Sequence, residues 1–198
     1  MPGNALLSVY DKTGLDRIAW TFSKLQVKML GSGGTAEAIR KLGLTVVDVS
    51  EYTGVKEMPG GLVKTLHPKI HGGILGDWRD PVQREYLEAN GIEPLYFVVV
   101  NLYPFQSVVK TDPSNLGKAV DNIDIGGVTL IRAAGKGALL NQRVVPVTDP
   151  AQYEVVVKEL EKKGYVGNEL RERLAREAFA LTAEYDQSIR DYLAGQGQ

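Results

Sequence analysis

ALLSVYDKTGLDRIAWTFSKLQVKMLGSGGTAEAIRKLGLTVVDV, residues 5–49, decides the fold. Three short apolar runs, ALLSV (5–9), VKML (27–30) and TVVDV (45–49), are separated by two segments whose apolar residues recur at helical spacing. Leu15, Ile18, Ala19, Phe22 and Leu25 form the first set, and Ala36, Ile39 and Leu42 the second. The runs are mostly apolar on both faces, as strands covered by helices on both sides must be, so the stretch predicts strand, helix, strand, helix, strand with the strands parallel.

Outward from that stretch, LYFVVVNL (95–102) and RVVPV (143–147) add two more strands. DPVQREYLEANG (80–91) reads as a helix with Asp80 as its cap, Pro81 as its first helical residue and Gly91 as its end. Residues 151–163 are helical. They are followed by a long amphipathic helix over 167–193 with Leu170, Leu174, Ala178, Leu181, Tyr185 and Ile189 along one side. The expected architecture is α/β, a mainly parallel sheet flanked by helices on both sides, with residues 1–150 as the α/β domain and 151–198 as a helical extension packed on it. No heptad, internal repeat or low-complexity tract is present.

Composition narrows the chemistry. Among 198 residues there are 23 basic and 24 acidic side chains, so a general attraction to nucleic acid or anionic lipid has no support and any positive site must be local. The chain has no cysteine, which removes disulfides, thiol nucleophiles and cysteine-ligated metals. No apolar run approaches the roughly 20 residues of a membrane-spanning helix, and MPGNALLSVYDK lacks the features of an export signal, so the expected location is the cytoplasm.

The turns after the first two strands share a chemistry. VYDKTG (9–14) and GSGGT (31–35) each follow a strand and open a helix, where glycines and small hydroxyl residues leave backbone N–H groups and a partial positive charge available to a phosphate. Lys12, Thr13, Ser32 and Thr35 offer side-chain donors, while Asp11 or Thr13 also fits a helix cap. Neither turn matches a P-loop or dinucleotide fingerprint, so the expected ligand is a small phosphorylated molecule at the C-terminal edge of the sheet.

Three further segments concentrate reactive groups: LVKT (62–65), NLYPF (101–105) and NIDIGGVTLIRAAGKG (122–137). A helix starting near Gly127 would present a second cluster of N–H donors, with Gly126 beside it and Asp124 at its mouth. Each residue has an ordinary reading as well: Asp124 as a cap, Lys136 as a solvated lysine near a helix end, Tyr103 as a core aromatic. His67 and His71 stand four apart, but Pro68, Gly72 and Gly73 argue against a stable helix there, so the histidines are expected to shape a loop and no metal site is expected.

VYDKTG, GSGGT, DVSEYTG (48–54), VKTLHPKIHGGIL (63–75), NLYPF, DIGGVTLIRAAGK (124–136) and AFALTAEYD (178–186) together resemble the inosine monophosphate (IMP) cyclohydrolase domain of a bifunctional purine-biosynthesis family. The resemblance runs in order over nearly the whole chain. It implies a methylglyoxal synthase-like fold and a hydrolase-class activity without metal or organic cofactor. In that reaction 5-formamidoimidazole-4-carboxamide ribonucleotide closes its second ring to IMP, with loss of water.

The resemblance assigns nucleotide binding to Asp11 and Lys12, to Ser32, Gly33, Gly34 and Thr35, and to Val63, Lys64 and Thr65. It places Asn101, Asp124 and Ile125 at the base end, gives Lys136 the proton-transfer role, and completes the polar set with Lys64, Tyr103 and Asp124. Two positions depart from the family: Leu62 stands where arginine is usual and Tyr10 where serine is common, so both are counted among the substrate-binding positions and the phosphate or carboxamide contacts are expected to be rearranged.

The implied partners are the nucleotide substrate and product, with a separate formyltransferase as source of substrate and a homodimer left open. A larger formyl-transferring domain normally follows in the family. This chain, stopping after the long helix, is expected to be either a stand-alone cyclohydrolase or a cut piece. Two competing expectations are a non-catalytic sensor of phosphorylated effectors on the same fold and methylglyoxal synthase, a lyase acting on a triose phosphate.

Overall fold

The computed structural model describes residues 3–58 and 63–195. Five parallel strands, β1 (Asn4–Val9), β2 (Met29–Gly31), β3 (Val47–Asp48), β4 (Leu95–Asn101) and β5 (Val145–Val147), form one sheet in the order β3-β2-β1-β4-β5. Alternation along each strand sends side chains to two cores. Ala5, Leu7, Val9, Phe97 and Val99 face one side with α1 (Leu15–Lys24), α2 (Gly33–Lys41) and α9 (Tyr153–Lys163). Leu6, Leu30, Val98 and Val100 face the other, against α3 (Val49–Thr53), α4 (Pro68–Leu75) and α8 (Gly126–Leu140). The expected parallel α/β sheet with helices on both faces is therefore what the chain forms.

The strand order places the site. The chain builds β2 and β3 to one side of β1, crosses through α5 (Pro81–Ala89), and lays β4 on the other side. Loops leaving β1 and β4 diverge at that reversal and leave a crevice beyond the strand ends. Val9 pairs with Asn101 in register, so the turns after β1 and β4 lie next to each other.

The long helix α10 (Asn168–Gly195) is tied to both cores and to α8. Leu170 and Leu174 enter one core and Ala178 the other. Arg171, 4% exposed, donates from Nε to the Ala138 carbonyl at 3.2 Å, placing a cation at the C-terminal end of α8. Further along, Tyr185 packs with Phe105 and Ala119, from α6 (Phe105–Thr111) and α7 (Leu116–Asp121), in a third, smaller cluster.

One expectation is overturned: Pro68, Gly72 and Gly73 do not prevent a helix. Pro68 occupies the first turn of α4, where its missing N–H costs nothing, and His67 caps it by accepting from Lys69 N–H at 3.1 Å. The glycines serve close approach. A Cβ on Gly73 would stand 2.5 Å from the Glu93 carbonyl oxygen. Gly73→Ala is expected to destabilise the fold by about 1–3 kcal/mol, and an unchanged urea midpoint with an unchanged slope would contradict this packing.

Among the described residues, no helix is long and apolar enough to cross a membrane, and no cluster of three or more histidine, aspartate or glutamate side chains is arranged to hold a metal.

Candidate active site

Beyond the C-terminal ends of β1, β2 and β4 lies a cavity of about 410 Å³. Its first wall is the turn between β2 and α2. Ser32 is extended, Gly33 takes a left-handed φ of 42°, and the helix then starts with N–H groups for which a helix offers no partner. Ser8 and Ser32 hydroxyls lie 2.7 Å apart across the strand ends.

Thr35 plays a different part from the one its residue type suggests. Its hydroxyl donates to the Val9 carbonyl and accepts from the Val9 N–H, both at 3.1 Å, and its own N–H donates to Ser32 O. Thr35 therefore pins α2 to β1, and Gly33 and Gly34 remain as the backbone donors facing the cavity.

Two lysines flank this turn. Lys12 donates to the carbonyls of Val9 and Tyr10, and burial lowers its pKa against the opposing pull of Asp11. Lys64 places its ammonium 3.0 Å from the point where a Cβ on Gly33 would stand, and pairs with Glu57 at 2.8 Å. The cavity thus has one end with a helix N-terminus and two cations, as an anionic group requires.

The opposite wall comes from the loops after β4 and before α8. Asn101 accepts from the N–H groups of Tyr10 (2.6 Å) and Asp11 (2.9 Å) and donates to the Asp11 carbonyl (2.9 Å), so its carboxamide holds the β1 turn in shape. Tyr103 and Tyr10, both half-exposed, meet with ring centroids 5.0 Å apart and planes inclined at 52°. Thr65 is buried, with its hydroxyl 3.0 Å from where a Cβ on Gly126 would be.

Asp124 is the most constrained group. Its Oδ1 accepts from Gly127 N–H at 2.7 Å, and a Cβ on Gly127 would lie 2.6 Å from its Oδ2, so only glycine lets the carboxylate lie along the start of α8. Burial raises the Asp124 pKa, while hydrogen bonds from the Gly127 and Tyr103 N–H groups pull it back down. Its own N–H donates to the Tyr185 hydroxyl at 2.8 Å, and that hydroxyl donates to Asn122 O at 3.3 Å. A residue of α10 thus positions the loop.

Of the residues singled out from sequence, the cavity gathers Tyr10, Lys12, Ser32, Gly33, Gly34, Thr35, Val63, Lys64, Thr65, Asn101, Tyr103, Asp124, Ile125, Gly126 and Gly127. Asp11 and Thr13 are not among its lining: the Asp11 carboxylate turns to the Thr13 N–H (2.8 Å) and hydroxyl (2.7 Å), which lowers its pKa. Leu62 lies outside the described residues.

Lys136 is the main displacement. It is exposed in the body of α8, which continues to Leu140, and it does not line the cavity. Ten residues beyond Gly126, it is about 15 Å down the helix at 1.5 Å per residue, so one chain does not bring it to Asp124 and Tyr103. A lysine behind a glycine-rich helix start reads as near the site in sequence, and the helix rise carries it away.

Ser8, Val9, Asp121 and Ile123 line the cavity without having been expected. Ile123 belongs to the NIDIGG run and Asp121 immediately precedes it, so proximity was the available signal. Tyr185 had only its place on an apolar stripe and in the AFALTAEYD block, neither of which pointed to Asp124.

Residues 14–129 match the family model described as MGS-like domain, and residues 138–198 match the one described as AICARFT/IMPCHase bienzyme. Among solved structures, the chain is similar to the crystal structure of ForH, with 28% identity over 99% of each chain and a TM-score of 0.87.

Proposed function

The chain belongs to the MGS-like domain family, and from that premise we propose that it is an IMP cyclohydrolase, closing 5-formamidoimidazole-4-carboxamide ribonucleotide to IMP. The observation that carries this reading is a single cavity with cationic donors at one end and Tyr103 with the partly buried carboxylate of Asp124 at the other. The match of residues 138–198 to the bienzyme model supports it over a triose-phosphate lyase.

The phosphate is held by the Gly33 and Gly34 N–H groups, Ser32, Lys12 and Lys64, with the ribose spanning the cavity and the heterocycle against Tyr10 and Tyr103. Lys64 serves the anionic end of the ligand, because its ammonium already sits over the α2 turn. At the far end the two exocyclic arms fold together, and orientation of this kind contributes up to roughly 7–11 kcal/mol.

The carboxamide nitrogen attacks the formyl carbon, forming the C–N bond as the formyl oxygen takes up negative charge and a proton. Asp124 accepts the proton leaving nitrogen, and the Tyr103 hydroxyl donates toward the formyl oxygen. That oxygen then leaves as water as the second nitrogen-bound proton is lost and the ring becomes aromatic.

The test is direct: the chain is incubated with the formylated ribonucleotide and IMP is followed by chromatography. IMP at a rate proportional to protein concentration is expected. Tight binding of IMP without any turnover would instead favour a sensor, and conversion of dihydroxyacetone phosphate would favour the lyase.

A further inference from the structure

Tyr10 and Tyr103 are two half-exposed aromatic rings that both line the cavity. They stand on the turns after β1 and β4, which are neighbouring strands in register at Val9 and Asn101. Their ring centroids are 5.0 Å apart at 52°, so they are inclined to each other and present an angled apolar wall. Exposing two such rings to water is unfavourable unless a partner covers them.

The backbone under Tyr10 is fixed. Asn101 makes three hydrogen bonds to the Tyr10–Asp11 segment, and Lys12 donates to the Val9 and Tyr10 carbonyls. The ring is therefore carried by a turn tied to the sheet, which lowers the ordering cost of using it for binding. It faces the same cavity as the cationic α2 turn.

We propose that Tyr10, with Tyr103, forms a stacking wall for a planar heterocycle, and that Tyr10 sets this chain's preference for phosphate esters bearing an aromatic base over open or purely sugar phosphates. The proposal rests on the nucleotide reading above and adds to it the residue that selects the base. Stacking is tolerant of base identity because every base has a π-face, so the wall selects for planarity, while the loops around Asp124 discriminate among exocyclic groups.

The test is calorimetric titration of wild type, Tyr10→Phe, Tyr10→Leu and Tyr10→Ala with IMP and with ribose 5-phosphate. Tyr10→Ala and Tyr10→Leu are expected to weaken IMP binding about five- to one-hundred-fold while ribose 5-phosphate binds as in wild type, and Tyr10→Phe is expected to keep IMP affinity within about twofold. Equal losses for both ligands, no loss, or a Phe variant as weak as Ala would overturn the stacking role. Wild type that prefers IMP but is indifferent to Tyr10→Ala sinks the stacking wall alone. Wild type that binds ribose 5-phosphate as tightly as IMP removes the nucleotide reading together with it.

Discussion

Asp124→Asn is expected to lower turnover by about 10²- to 10⁴-fold, the usual worth of a positioned general base, while leaving IMP affinity within a few-fold of wild type. The amide keeps an oxygen for the Gly127 N–H, so the start of α8 is preserved. What is lost is the ability to accept a proton. Because burial raises the Asp124 pKa, the acid limb of the wild-type profile is expected above the ordinary carboxylate value, with activity rising as Asp124 ionises, and the residual activity of the variant should lack that limb.

The same substitution makes a stability prediction of opposite sign. A carboxyl whose folded pKa is raised holds its proton more tightly in the folded state. Its stabilising contribution is present below the unfolded pKa and is lost as pH rises through the folded one. Above that range the wild-type fold carries a partly buried carboxylate whose charge burial disfavours, and Asp124→Asn relieves it. Thermal melting at pH 7 should show the variant at or above the wild-type midpoint. A clearly lower midpoint would identify Asp124 as a structural cap whose charge the fold needs.

Lys64→Ala is expected to weaken IMP about 10- to 100-fold, the loss of a charge-assisted hydrogen bond to phosphate, and to leave affinity for the nucleoside inosine unchanged. The position of its ammonium over Gly33 sets this expectation. Glu57 competes for the same cation at 2.8 Å, with both side chains partly exposed, so Glu57→Gln is expected to tighten IMP by no more than about fivefold. Equal losses of IMP and inosine in Lys64→Ala would move Lys64 away from the phosphate end.

Where sequence served well, the reason was local. Strand period and the glycine-hydroxyl turns after β1 and β2 follow from a few adjacent residues, and the cavity assembles on those turns. Where sequence was silent, the deciding contact was distant. Thr35 could not be told from a ligand donor until β1 was laid beside α2 and its hydroxyl met Val9. Asp124 owes its position to Tyr185, sixty-one residues away on α10. Gly72 and Gly73 read as helix breakers, but close packing of α4 against β4 and the segment before it supplies the stabilisation that propensity lacks. Lys136 does not line the cavity of its own chain, since a helix carries ten residues much farther than their sequence proximity suggests.

The most direct measurement is a crystal structure with IMP bound. The phosphate should accept hydrogen bonds from the Gly33 and Gly34 N–H groups, with the purine against Tyr10 and Tyr103 and its newly formed ring edge toward Asp124. IMP in the reverse orientation, or bound away from the crevice between β1 and β4, would contradict it.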